Sequence, residues 1–197
     1  MTRGAGRPRT PDALALRRNV LALRRNTLAG RRNALAVRRI AIGGDHGGFA
    51  LKRKLVAYLQ GRGLEVADLG THSPEPCDYP QVGYKVAQAV AQRVFDRGVL
   101  LCKSGIGIAI TANKVPGIRA AVCGDRFDAE RSRSHNDANI LVLGAEKLTD
   151  LRARQIVATW LSTPFETGGR HERRVRQIAA IERAVRRQRP RLSRGSE

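Results

Sequence analysis

The chain has 197 residues and a formal charge of +20, with three cysteines and few aromatic residues. That length builds one domain with tails, and an odd, widely spaced cysteine count fits a reducing compartment rather than a disulfide scaffold. No apolar run approaches the roughly 20 residues that span a bilayer, so the reading is a soluble, cytoplasmic protein with no membrane partner.

A charge of that size points to nucleic acid unless its location says otherwise. Residues 1–39 carry eleven Arg against one Asp, and residues 170–197 carry ten Arg against three Glu. The middle, 40–169, has sixteen basic and thirteen acidic residues, a net of only +3. The centre therefore has the balance of a small-molecule enzyme. Binding of nucleic acid through the ends is the reading from another class, and stacking aromatics and base-reading motifs are missing for it. It would be nonspecific and salt-dependent.

In chain order, residues 1–38 form a basic extension with a seven-residue repeat starting at Leu14, Leu21, Leu28 and Leu35. Arg-Arg stands three and four residues after each Leu, where a coiled coil needs its second apolar row. A basic surface helix or an Arg-rich targeting segment would share this pattern. The reading adopted is a disordered or loosely helical extension without a catalytic role.

The texture changes at Arg39. "RIAIGG" reads as a strand, and "FALKRKLVAYLQGRG" as an amphipathic helix with a Gly stop. "LEVADLG" is a second strand. "YPQVGYKVAQAVAQRVFDRG" is a helix opened by Pro80 and closed by Gly98. "VLLCKSG", "IRAAVCG" and "NILVLGA" supply three more strands, with Cys123 ending one expected in the centre of the sheet. "IGIAITANK", "DRFDAERSRSHN" and "TDLRARQIVATWLST" are the intervening helices, the last capped by Thr149. "HERRVRQIAAIERAVRR" is a final helix, and 188–197 a basic tail. Strands alternating with helices predict an α/β fold: a three-layer α/β/α sandwich on a five-stranded parallel Rossmann-like sheet, over 39–187.

Ligands of such sheets bind along the edge where strands end. "GGDHGG" brings Asp45 and His46 there, and "LLCKSGIG" brings Cys102 and Ser104. "SHND" is expected on the same rim, with His135 and Asn136. Gly105 and Gly107 allow a tight turn into a helix whose N-terminal amides suit an anion. The same field favours a thiolate at Cys102 that can act as a base. The dinucleotide fingerprint fails at Ile110, no Walker pattern occurs, and Cys and His spacings match no metal site. A base, an oxyanion cradle and a hydroxyl, with no cofactor, suit proton transfer beside a carbonyl.

At this point "IAIGGDHGGFALK", "DLGTHSPEPCDYP", "LLCKSGIGIAITANKVPGIRAAVC", "SRSHNDANILVLGA" and "GGRHERRVRQIAAIE" carry a resemblance. In unbroken order over 39–183 they resemble the ribose/galactose sugar-phosphate isomerases, most nearly the branch acting on ribose 5-phosphate. The resemblance implies a cofactor-free aldose–ketose isomerase of the pentose phosphate pathway, a homodimer with active sites shared between subunits. It implies Cys102 as the base moving a proton between C1 and C2, Ser104 at the reacting hydroxyls, and the amides around Gly105 and Gly107 on the enediolate. His135 would help open the furanose ring, with Asp45 and Tyr79 beside the ring oxygens. Asn113 and Asn136 would bind sugar hydroxyls. His46, Arg170 and Arg174 would hold the phosphate, the two arginines coming from the neighbouring subunit. Two positions depart from the pattern: Glu146, followed by Lys147, stands where many relatives have Arg, and Lys103 where Gly is common. A galactose- or allose-type hexose 6-phosphate is the alternative substrate.

Overall fold

The computed structural model describes residues 37–188. Residues 1–36 of the basic extension and the residues from 189 onward lie outside it. Five parallel strands form one sheet: β1 (Arg39–Gly44), β2 (Glu65–Asp68), β3 (Arg97–Cys102), β4 (Ala120–Val122) and β5 (Ile140–Gly144), in the order β2-β1-β3-β5-β4. The helices are α1 (Phe49–Gly61), α2 (Tyr79–Ala91), α3 (Ile106–Ala112), α4 (Arg126–Ser134), α5 (Asp150–Ser162) and α6 (Arg170–Gln188), with a 3₁₀ turn at Ala145–Lys147.

The central strands are buried on both faces, which is why they read as continuous apolar runs. Ile40, Ile42, Val99, Leu101, Leu141 and Leu143 meet Leu51, Leu55 and Leu59 of α1 and Ile156, Val157 and Trp160 of α5. Helices α2 and α3 cover the other face, burying Val86, Val90 and Ile108. Thr149 caps α5 as expected, its hydroxyl accepting from the Arg152 amide at 3.3 Å.

Two expectations need correction. The second helix stops at Ala91, not Gly98, because Arg93 takes a left-handed conformation (φ 58°) and turns the chain early. Gly98 instead lies inside β3, where a Cβ would come within 2.9 Å of Ile140 and 3.1 Å of Val86. Cys123 does not end a central strand: β4 is an edge of the sheet. The thiol is nevertheless buried, because α4 folds back over it and Ser132 lies 3.6 Å from its sulfur.

Candidate active site

Cys102 is the last residue of β3, and its side chain is almost wholly buried. The chain then turns through Lys103 and Ser104 to Gly105, whose φ of 83° is a conformation L side chains rarely adopt. That turn aims the Gly105 amide back at the thiol, with N–H to Sγ at 3.0 Å. A backbone N–H donor is thereby fixed on the sulfur where β3 turns into α3. The next amide, of Ile106, donates to Ser104 Oγ at 3.3 Å, leaving the hydroxyl proton to donate elsewhere. The Gly105 and Ile106 amides thus bond to Cys102 and Ser104 directly.

Gly107 has a different reason to be glycine. A Cβ there would fall 2.5 Å from Cζ of Tyr79, so the phenol lies flat on the first turn of α3. Asp45 follows β1 and is buried, with Oδ1 accepting the Gly48 amide at 3.1 Å and its own amide bonded to Leu101 O at 3.2 Å. His46 Nδ1 lies 3.1 Å from the Cys77 amide nitrogen and 3.3 Å from its carbonyl oxygen. The Cys77 backbone therefore holds the ring in either protonation state and leaves Nε2 for a ligand. Asp45, His46, Tyr79, Cys102, Ser104, Gly105 and Gly107 share the C-terminal edge of the sheet.

The departure at Glu146 is answered locally. Glu146 Oε1 stands 3.6 Å from Lys103 Nζ, and its amide bonds to Lys103 O at 3.1 Å. The carboxylate is paired with the cation on the thiol loop. Both side chains are well exposed, so the pair adds little stability.

His135 and Asn136 are not on this rim, contrary to expectation. A helix that follows a strand runs back along the sheet, so its C-terminus reaches the edge where strands begin. His135 is the C-cap of α4, and Asn139 meets the starts of two strands, accepting from Gly98 and donating to Arg119. In register, Ile140 pairs with Gly98 while Cys102 pairs with Gly144, so about 13 Å of strand separates the two edges. Arg170 and Arg174 join His135 there, since Glu166 N–H bonds to Ser134 O at 3.0 Å just before α6 begins. Asn113 also falls at this edge, and its amide is occupied: Oδ1 accepts from Ala120 N at 2.8 Å and Nδ2 donates to Ala120 O at 2.9 Å. It seals the start of β4 and does not adjoin Cys102, so the expected contact with sugar hydroxyls has no support here.

This second edge holds a group with no signal in the sequence. The imidazoles of His135 and His171 stack with centroids 3.8 Å apart and planes 6° apart. Glu166 lies beneath both, its two oxygens each 3.9 Å from one Nε2. Arg131 Nη1 approaches His135 Nε2 at 3.0 Å, and Arg170 Nε approaches His171 Nε2 at 3.3 Å. Three ligand atoms lie within 4.8 Å of one another, yet the trio does not fit a metal. No point lies in both of two parallel ring planes, and arginine N–H groups already face both Nε2 atoms.

An α/β sandwich with a thiol, a carboxylate and a phenol around the turn into α3 is the arrangement that the resemblance to sugar-phosphate isomerases implied, and the comparisons agree. The family described as Ribose/Galactose Isomerase matches residues 40–178, and the chain belongs to it. Ribose-5-phosphate isomerase B of Escherichia coli is 50% identical over 143 residues, 73% of this chain and 95% of that protein. The structure of Clostridium thermocellum ribose-5-phosphate isomerase B superposes with a TM-score of 0.73 at 52% identity, covering 75% of this chain and 99% of that one. D-Erythrulose-4-phosphate isomerase of Pectobacterium atrosepticum is 43% identical over 134 residues, 66% of this chain and 86% of that protein. A main role as a nucleic-acid binder is not favoured beside these relatives. No helix among the described residues is long and apolar enough to cross a membrane.

Proposed function

We propose that the chain interconverts ribose 5-phosphate and ribulose 5-phosphate. The observation that carries this reading is the Cys102 sulfur held by the Gly105 amide at the head of α3, beside Tyr79. The reaction is redox-neutral and needs only proton movements. His135 takes the proton of the anomeric hydroxyl as the C1–O4 bond breaks and O4 is protonated. The Cys102 thiolate then removes the C2 proton, and the C–H electron pair becomes the enediolate double bond while the carbonyl electrons move to O1. Ser104 donates to the reacting oxygens as the O2 proton shifts to O1. Return of the proton from sulfur to C1 gives the ketose.

His135 and Cys102 lie at opposite edges of one chain, so a complete site takes its thiol half from one copy and its histidine–arginine half from another. Exposed apolar residues support a homodimer. Ile106 and Ile110 are 60% and 57% exposed on one face of α3, immediately beside the thiol turn. On α6, which buries no residue, Ile178, Ile181 and Val185 form an uncovered row. A second copy covering these faces would set Arg170, Arg174, His135 and Asn136 against the partner's Cys102. His46, with Nε2 available, then meets the phosphate from the thiol side.

Purified protein offered a panel of aldose 5- and 6-phosphates should form ketose fastest from ribose 5-phosphate. Faster turnover of a hexose 6-phosphate, or no ketose from any member, would overturn the substrate assignment.

A further inference from the structure

We propose that His171 is a positioning residue for ring opening: its imidazole, stacked on His135 above Glu166, fixes the plane of the His135 ring and keeps the pair from taking two protons. The inference rests on His135 being the ring-opening residue, as read above. Three observations lead to it. The stack is close and nearly parallel, 3.8 Å and 6°, so either ring limits rotation of the other about its Cβ–Cγ bond. Two imidazolium ions at that spacing would repel strongly, so the stack carries one proton at most. Glu166 sets a carboxylate 3.9 Å from both Nε2 atoms, while Arg131 and Arg170 direct N–H groups at the same two nitrogens and hold the rings in place.

The groups facing the pair come from three elements. Arg131 reaches in from α4, Glu166 from the connection after α5, and Arg170 and Arg174 from α6. Desolvation first, then His135 and the cations Arg170 and Arg174, hold His171 below the usual histidine range, while Glu166 pulls the other way. His171 therefore stays neutral over a wider pH range than a free imidazole. His135 alternates between taking the anomeric proton and releasing it to O4, and a neutral neighbour of fixed orientation serves that exchange. His171 itself need touch no substrate.

The step can be isolated chemically. Ribose 5-phosphate closes through its C4 hydroxyl into a furanose that must be opened. D-Erythrose 4-phosphate has that oxygen esterified and cannot form the ring, so it bypasses the step while keeping the same proton transfer. For the full-length protein, His171→Ala should lower kcat/KM on ribose 5-phosphate by about tenfold or more and leave kcat/KM on erythrose 4-phosphate within about twofold of wild type. His171→Phe, which keeps a flat ring, should recover most of the loss on ribose 5-phosphate. Should wild type leave the tetrose untouched, deuterium exchange at C1 of ribulose 5-phosphate, an acyclic ketose, replaces it as the ring-independent readout. Equal losses on both readouts, no loss on either, or no rescue by Phe would each overturn the inference. A wild-type protein inactive on ribose 5-phosphate would instead refute the reading beneath it.

Discussion

Cys102 and His135 sit at opposite edges of the same parallel sheet, one at the end of β3 and the other just ahead of β5. In the proposed dimer they meet only across the interface. Mixed and exchanged with each other, inactive Cys102→Ala and inactive His135→Ala proteins should regain about a quarter of wild-type activity. Random exchange makes half the dimers hybrid, and each hybrid has one site with both groups intact. No recovery after subunit exchange verified by mass spectrometry would mean that each chain completes its own site.

The three thiols should separate by function and reactivity. Cys102→Ala should reduce turnover at least about a hundredfold at a stability cost of about 1 kcal/mol, since only the bond from the Gly105 amide is lost. Cys123→Ala should cost about 1 kcal/mol through a small cavity and leave kcat unchanged. Burial pushes the Cys123 thiol up to about 11 against a partly compensating bond to Ser132. It should therefore resist iodoacetamide at pH 8, while half-exposed Cys77 labels readily. Peptide mapping after timed alkylation decides this, and early labelling of Cys123 would contradict the burial argument.

Lys52 and Asp68 form an ion pair in which the lysine is fully buried and the aspartate side chain is 27% exposed. Removing the partners should not be equivalent. Asp68→Asn strands a buried ammonium and should cost about 3 kcal/mol, whereas Lys52→Met leaves a carboxylate that can turn toward water and should cost less. Urea denaturation of both variants tests the asymmetry. A larger loss for Lys52→Met would reverse it. Asp68 also accepts the Gly70 amide at 3.0 Å, which braces the loop bonded to Gly44 ahead of Asp45.

Asp96 fastens the start of β1. Burial opposes its charge, but the amides of Arg38 and Arg39 and the Arg39 guanidinium outweigh burial and hold the carboxyl below its ordinary value of 3.8. With a depressed folded pKa, the stabilisation is complete above the unfolded value and fades as pH falls through the folded one. Asp96→Asn should melt below wild type at pH 7, and the two melting curves should converge below about pH 4. A gap independent of pH would show that the side chain acts by shape alone.

The sheet was legible because buried parallel strands announce themselves as apolar runs bounded by glycine. β1 matches "RIAIGG" residue for residue. The false stop at Gly98 arose because the actual turn uses Arg93, a residue with no turn signature. Cys102, Ser104, Asp45 and His46 were legible as a group because all four lie at or just beyond strand ends. His135 lies on the other edge because α4 runs back along the sheet, and its residue type has no bearing on which end of the helix meets the strand ends. The stack of His135 on His171 left no trace, since it joins a helix C-cap to the first turn of another helix through Glu166 in an irregular connection. Asn113 misled for a related reason, an amide used entirely by the backbone of a neighbouring strand.

Lys103 and Glu146 face each other at the mouth of the thiol half-site, and at any distance a diffusing ion would feel, their charges cancel. A dianion nearing an isolated chain is drawn to the arginine-bearing edge and away from the sulfur. In the proposed dimer, Arg170 and Arg174 of the second copy bring the long-range field to the place where the chemistry occurs. Capture of substrate from solution then belongs to the pair of chains, with an encounter rate constant that drops as salt is added.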